Sequence, residues 1–128
     1  MFALVVDDDR TTRIFHQVLI SSEGIDVHVA EDGHQAVRMI TEGNKYDLIL
    51  MDRDMPTMNG LTATKMLREM GVTSTIVGIT SWDRKFEIED FLAAGADKCL
   101  AKPLTIEKLR SIFAEVANVP GQTSGTKN

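Results

Sequence analysis

The sequence predicts a doubly wound α/β domain in which five parallel strands, each followed by a helix, form one sheet in the order 2-1-3-4-5. Three observations carry this. Short apolar runs with β-branched residues recur along the chain, each too short for a helix and each ending in polar or acidic residues. Stretches with helical apolar spacing lie between them. At 128 residues, 43% hydrophobic and 26% charged, the chain can build one packed core but not two. Alternating elements of this length imply right-handed crossovers and a sheet covered on both faces, with a site at the carboxyl ends of its strands.

The first strand is Ala3 to Val6, and Asp9 stands where it can cap a first helix carrying Ile14, Val18 and Leu19. Asp26-Val27-His28-Val29-Ala30 alternates polar and apolar, as an edge strand with one wetter face does, and this favours the order 2-1-3-4-5. Asp32 with Gln35 reads as a capping box ahead of Ala36, Val37 and Ile40. The third strand is Leu48 to Met51, followed by a loop with Pro56 and Gly60 and a helix carrying Leu61, Leu67 and Met70. Ile76 to Ile79 is the fourth strand, and Phe86, Phe91 and Leu92 mark its helix. Cys99 to Ala101 is a short fifth strand; Thr105 then caps the cleanest amphipathic pattern, Ile106, Leu109, Ile112, Phe113 and Val116. Gly24, Gly43, Gly71 and Gly95 each fall just past a helical segment. Residues 1–117 are assigned to the domain and the small, polar stretch 118–128 to a disordered tail.

Composition excludes several classes. Nineteen acidic against fourteen basic residues give a net charge of -5, the wrong sign for a sequence-independent grip on nucleic-acid phosphates. No apolar stretch approaches the ~20 residues that span a bilayer, and the start shows no secretory leader. Cys99 alone cannot form an internal disulfide, which fits a reducing, intracellular setting.

The residues just beyond the strands converge on one rim, and they are Asp7-Asp8-Asp9, Asp52, Thr80-Ser81 and Lys102-Pro103. Singly, each has a bland reading: the first acids complement a helix N-terminus, and Lys102 is a solvated lysine. Together they are harder to explain, because converging carboxylates repel unless a cation or proton compensates them. A hard divalent cation such as Mg²⁺ suits an all-oxygen donor set. A carboxylate beside it can act as nucleophile on a phosphoryl group, with Lys102 and the Thr80 hydroxyl on the transferred oxygens. Pro103 sets a tight turn that aims Lys102 at the rim.

This constellation, Asp7-Asp8, Asp52, Thr80 and Lys102-Pro103 in order at four strand ends, resembles the receiver domain of two-component response regulators over about residues 2–117. The resemblance implies a flavodoxin-like fold with Asp52 as phosphoacceptor and a Mg²⁺ site formed by Asp7, Asp8, Asp52 and the backbone carbonyl of Asp54. It implies Thr80 and Lys102 as phosphoryl ligands, a phosphohistidine donor on a histidine kinase or histidine phosphotransfer protein, and self-catalysed loss of the phosphate. Within the family the sequence looks most like plant stand-alone, type-C response regulators, which implies a relay partner or phosphate sink that also dephosphorylates phosphotransfer proteins. A cytoplasmic location follows, with the nucleus as an alternative. His16, His28 and His34 lack metal-ligand spacing and are expected at surface or edge positions. Docking of a helical bundle is expected around Arg13, Ile14, Phe15 and Leu104, the last three read as exposed apolar residues.

Two departures stand out. The aromatic residue that many receivers carry in the fifth strand is replaced by Cys99, read as a small core residue, and Trp82 lies where neighbours of the threonine influence water access. Other readings are a receiver cut from a hybrid histidine kinase, a phosphatase of the haloacid dehalogenase type with Asp54 as general acid, and a binding module without phosphorylation.

Overall fold

Ten elements alternate along the chain: β1 (Phe2–Val6), α1 (Arg10–Ser21), β2 (Asp26–Ala30), α2 (Gly33–Thr41), β3 (Leu48–Asp52), α3 (Gly60–Glu69), β4 (Thr75–Thr80), α4 (Lys85–Ala94), β5 (Lys98–Ala101) and α5 (Ile106–Ala117). The computed structural model describes residues 1–81 and 84–117; Trp82 and the expected tail, 118–128, lie outside the described residues. All strands are parallel, in the order β2-β1-β3-β4-β5. The expected topology and element order are therefore both present. No helix among the described residues is long and apolar enough to cross a membrane.

Because side chains alternate across a strand, each central strand feeds two cores. Leu4, Val6, Ile49, Met51, Ile76 and Cys99 face α2, α3 and α4 with Ala36, Leu67 and Phe91. Ala3, Val5, Leu48, Leu50, Val77 and Ile79 face α1 and α5 with Ile20, Leu109, Ile112 and Val116. This is why the central strands read as unbroken apolar runs, whereas β2, with Asp26 exposed and His28 half-buried, alternates as an edge strand. At Gly78 the sheet admits the Phe91 ring so closely that a Cβ would stand 2.5 Å from it.

The caps agree with their sequence signals. Asp9 accepts the Thr12 N–H, Asp32 the Gln35 N–H and Thr105 the Lys108 N–H. The Gln35 amide reaches the N–H of Glu31, one residue outside the expected box. Gly24, Gly43, Gly71 and Gly95 all take positive φ past helix ends.

Helix faces were less legible. On α1 the inward stripe is His16 and Ile20, both buried, while Ile14 and Val18 stand 42% and 61% exposed. Ile14–Val18 and His16–Ile20 are both i, i+4 pairs, about 200° apart on the helix, so spacing defines two stripes and cannot choose between them. His16 therefore corrects the expectation of a surface histidine. Met70, Phe86 and Leu92 are likewise exposed, and the core contacts of α3 and α4 come from Ala63, Leu67 and Phe91 with Leu61 and Ile88 packed against them.

Gly78→Ala should destabilise the domain by about 1–3 kcal/mol, the usual cost of overpacking a filled core; an unchanged urea midpoint would show that Phe91 yields without cost.

Candidate functional site at the carboxyl rim

The strand ends are pinned to one another by backbone hydrogen bonds that continue past the ladders. The Asp7 N–H donates to Ala30, the Arg53 N–H to Ile79 and the Lys102 N–H to Thr80, at 3.1, 2.9 and 2.8 Å. Side-chain positions just beyond β1, β3 and β5 are thus fixed relative to one another before any ligand arrives. The loop after β3 closes directly on Asp52: the Gly60 N–H donates to the Arg53 carbonyl, and a Cβ on Gly60 would lie 2.0 Å from the Asp52 carbonyl oxygen. Only glycine permits that approach.

Oxygens of Asp7, Asp8 and Asp52 lie within 4.8 Å of one another. Lys102 enters from the far end of the sheet and places Nζ 2.8 Å from Asp52 Oδ1 and 3.1 Å from Asp7 Oδ2. Asp7 and Asp52 are 2% and 3% exposed, whereas Asp8 is open to solvent. Burial, aided by the charges of Asp7 and Asp8 and opposed by the hydrogen bond and charge of Lys102, pushes the Asp52 carboxyl up to about 7. Burial alone would lower Lys102, but its hydrogen bond to Asp52 and the charges of Asp52 and Asp7 outweigh this and hold it above its ordinary value. One ammonium against three carboxylates leaves the cluster short of positive charge. An all-oxygen set of this kind fits a metal ion.

The rim brings together Asp7, Asp8, Asp52 and Lys102 as the sequence suggested. The Lys102-Pro103 peptide is cis. Thr80 is buried at the end of β4, but its hydroxyl donates to Glu87 Oε1 of α4 at 2.5 Å. The reason is parity: Ile76, Gly78 and Thr80 share the sheet face that α4 covers. The Asp54 side chain is exposed and pairs with Arg53 at 3.3 Å, outside the acidic cluster. Leu104 corrects the expected docking surface, since it is 1% exposed and packs in the core with Leu109 and Ile79. Ile14 and Phe15 are exposed, and Phe15 lines, with Thr11, Thr12, Ser81, Lys102 and Pro103, a groove of about 580 Å³ that opens beside the acids. Arg13 donates to the Asp7 carbonyl at 2.9 Å.

Three polar residues were missed by the sequence reading. Glu87, in the first turn of α4, is 4% exposed and was not singled out from the sequence. Arg53 lies 4.0 Å from it and could have been suspected only from its place after Asp52. His16 is buried with Nε2 unpartnered among the described residues, and burial, opposed by Asp7 and reinforced by Lys102, lowers its pKa. Cys99 is free and buried, and burial with the Glu87 charge, partly offset by Arg53, pushes its thiol up to about 11. That agrees with a core role and leaves little reactive thiolate.

A five-stranded parallel sheet in the order β2-β1-β3-β4-β5 with an acid–lysine rim defines the class of doubly wound α/β domains that carry a site at their strand ends, and comparison with known proteins makes the class specific. The response regulator receiver domain family matches residues 3–114. Two-component response regulator 24 of Arabidopsis thaliana is 49% identical over 87% of this chain and 80% of its own length. Two-component response regulator ARR22 of the same plant is 45% identical over 88% and 81%. The receiver domain of the Francisella response regulator 1452 superposes with a TM-score of 0.82 at 30% identity, covering 90% of this chain and 94% of that one. The chain belongs to the response regulator receiver domain family. Proteins of this family work in two-component systems with histidine kinases or phosphotransfer proteins, and this membership leaves the haloacid dehalogenase reading without support.

The raised Asp52 carboxyl makes the fold pH-sensitive. The native state holds a proton that the unfolded chain, with its ordinary carboxyl near 3.8, releases. Stability from this group is full below about 4 and is lost as pH rises through about 7. In metal-free buffer, Asp52→Asn should flatten that decline and stabilise the chain at pH 8 by about 1–2 kcal/mol after solvent screening; parallel melting-temperature profiles for the two proteins from pH 4 to 8 would contradict it.

Proposed function

We propose that the chain is a phosphoacceptor in a His-Asp phosphorelay, taking a phosphoryl group onto Asp52 from a phosphohistidine protein. The observation that carries this reading is the buried Asp52 carboxylate, hydrogen-bonded to Lys102 and crowded by Asp7 and Asp8 at the open end of the sheet. An Asp52 oxygen attacks phosphorus, the P–N bond to the donor imidazole breaks, and the electron pair leaves with the imidazole. Lys102 Nζ, already at the carboxylate, offsets charge on the transferred oxygens, and the Thr80 hydroxyl donates to one of them once it leaves Glu87. Mg²⁺ held by Asp7, Asp8, Asp52 and the Asp54 carbonyl supplies, when bound, the positive charge that the cluster lacks and that keeps Asp52 ionised.

As in the sequence reading, the role is that of a stand-alone relay partner or phosphate sink in the cytoplasm, with the phosphate later lost to water. The donor's helical bundle docks on the exposed face of α1, where Ile14, Phe15 and Val18 are 42%, 46% and 61% exposed beside the groove that leads to Lys102. An apolar surface of this kind suits a helical partner that brings its phosphohistidine over the rim.

With Mg²⁺ and a small acyl-phosphate donor, intact mass should show one added phosphoryl group, lost in Asp52→Asn and slowed about 10²-fold in Lys102→Ala; undiminished labelling of Asp52→Asn would refute the assignment. Phe15→Ser should weaken transfer from a phosphorylated histidine phosphotransfer protein at least about tenfold, as loss of a central apolar anchor does. Equal transfer rates would move the docking surface off α1.

A further inference from the structure

The chemistry above leaves one buried carboxylate unused. Glu87 stands in the first turn of α4, and its Oε1 both accepts from Thr80 Oγ1 at 2.5 Å and lies 4.0 Å from Arg53 Nε. That Nε is buried with no hydrogen-bond partner among the described residues. The rest of the guanidinium is loosely held: Nη1 is 3.3 Å from Asp54, and Nη2 is 3.9 Å from Asp90, also on α4. One carboxylate oxygen is therefore bonded to a residue of β4 and approached by an unsatisfied donor from the residue after Asp52.

Moving the Thr80 hydroxyl away would, with nothing else changed, strand a buried charge, and an unpartnered buried carboxylate is far more costly than one hydrogen bond is favourable. Arg53 Nε is the donor at hand, and a charge-assisted bond to it replaces the one lost. We propose that Glu87 is a positioning residue for Thr80 and that Arg53 is its alternate partner. While Asp52 is free, Glu87 holds the hydroxyl against α4; when the hydroxyl turns to a phosphoryl group on Asp52, Glu87 closes on Arg53 and carries the first turn of α4 with it. The inference rests on the phosphoacceptor reading of Asp52. It supplies a link from that site to α4 in a receiver whose β5 carries Cys99, next to Gly78 in register, where an aromatic ring is absent.

The test uses beryllofluoride with Mg²⁺ as the phosphoryl stand-in, titrated into the full chain and followed by amide and arginine Nε–H resonances. Arg53→Gln should weaken binding about tenfold, and Arg53→Lys, which keeps the charge, should recover most of it. In a Glu87→Gln background, where no charge is left to strand, Arg53→Gln should weaken binding less than about twofold, the non-additivity expected of coupled residues. In the unaltered chain the Arg53 Nε–H signal should move downfield on binding as it gains an acceptor. An equal penalty for Arg53→Gln in both backgrounds overturns the exchange while leaving the phosphoacceptor reading intact. No binding and no phosphate uptake by the unaltered chain overturns that reading, and the exchange with it. Should Glu87→Gln fail to fold, an unmoved Arg53 Nε–H signal, or an Arg53→Lys variant as weak as Arg53→Gln, overturns the exchange by itself.

Discussion

The ammonium of Lys102, placed between Asp7 and Asp52, is the interaction on which the rim depends. Two carboxylates from the ends of different strands are withdrawn from water there, and Asp7 raises the cost of keeping Asp52 ionised. A single positive charge lowers that cost without removing it, which is why Asp52 still holds its proton up to about 7. The domain thus carries a region that is electrostatically incomplete by itself. A deficit of this sign is one that a bound cation would offset.

The fold supplies the geometry at little cost. Parallel strands end together at one rim, and backbone bonds from Asp7, Arg53 and Lys102 to neighbouring strand ends hold that rim against the repulsion it contains. Below it, the core is split by strand parity into two sets of apolar contacts, so the sheet is rigid from both sides. The same parity sends Asp52 toward Lys102 and turns Thr80 toward α4. A residue pair at one rim therefore answers to two different helical layers, and Glu87 with Arg53 is the polar seam between them.

Much of this was legible in the residues. Short β-branched runs, capping acids and the glycines after the first four helices determined the element order, because those signals act within a few residues of themselves. The acids at the ends of β1 and β3 and the Lys-Pro after β5 could be assembled into a site because a parallel sheet leaves only one place for strand ends to meet. Asp26 to Ala30 announced its edge position through its wetter face.

What the tertiary structure alone decided concerns the side of each helix and the partners of buried charge. The choice between the Ile14–Val18 and His16–Ile20 stripes of α1 depends on how the helix is rotated over the sheet, which local spacing does not encode. Leu104, read as a surface residue, is buried in the core cluster that also holds Ile79 and residues of β1 and β3, segments distant in sequence. Glu87 drew no attention in the sequence and is a buried partner of Thr80, since burial is a property of what packs around a residue rather than of the residue. Sequence by itself determined the class, the strand ends and the charge brought to them; long-range packing decided which hydroxyl, which carboxylate and which helix face answer to that charge.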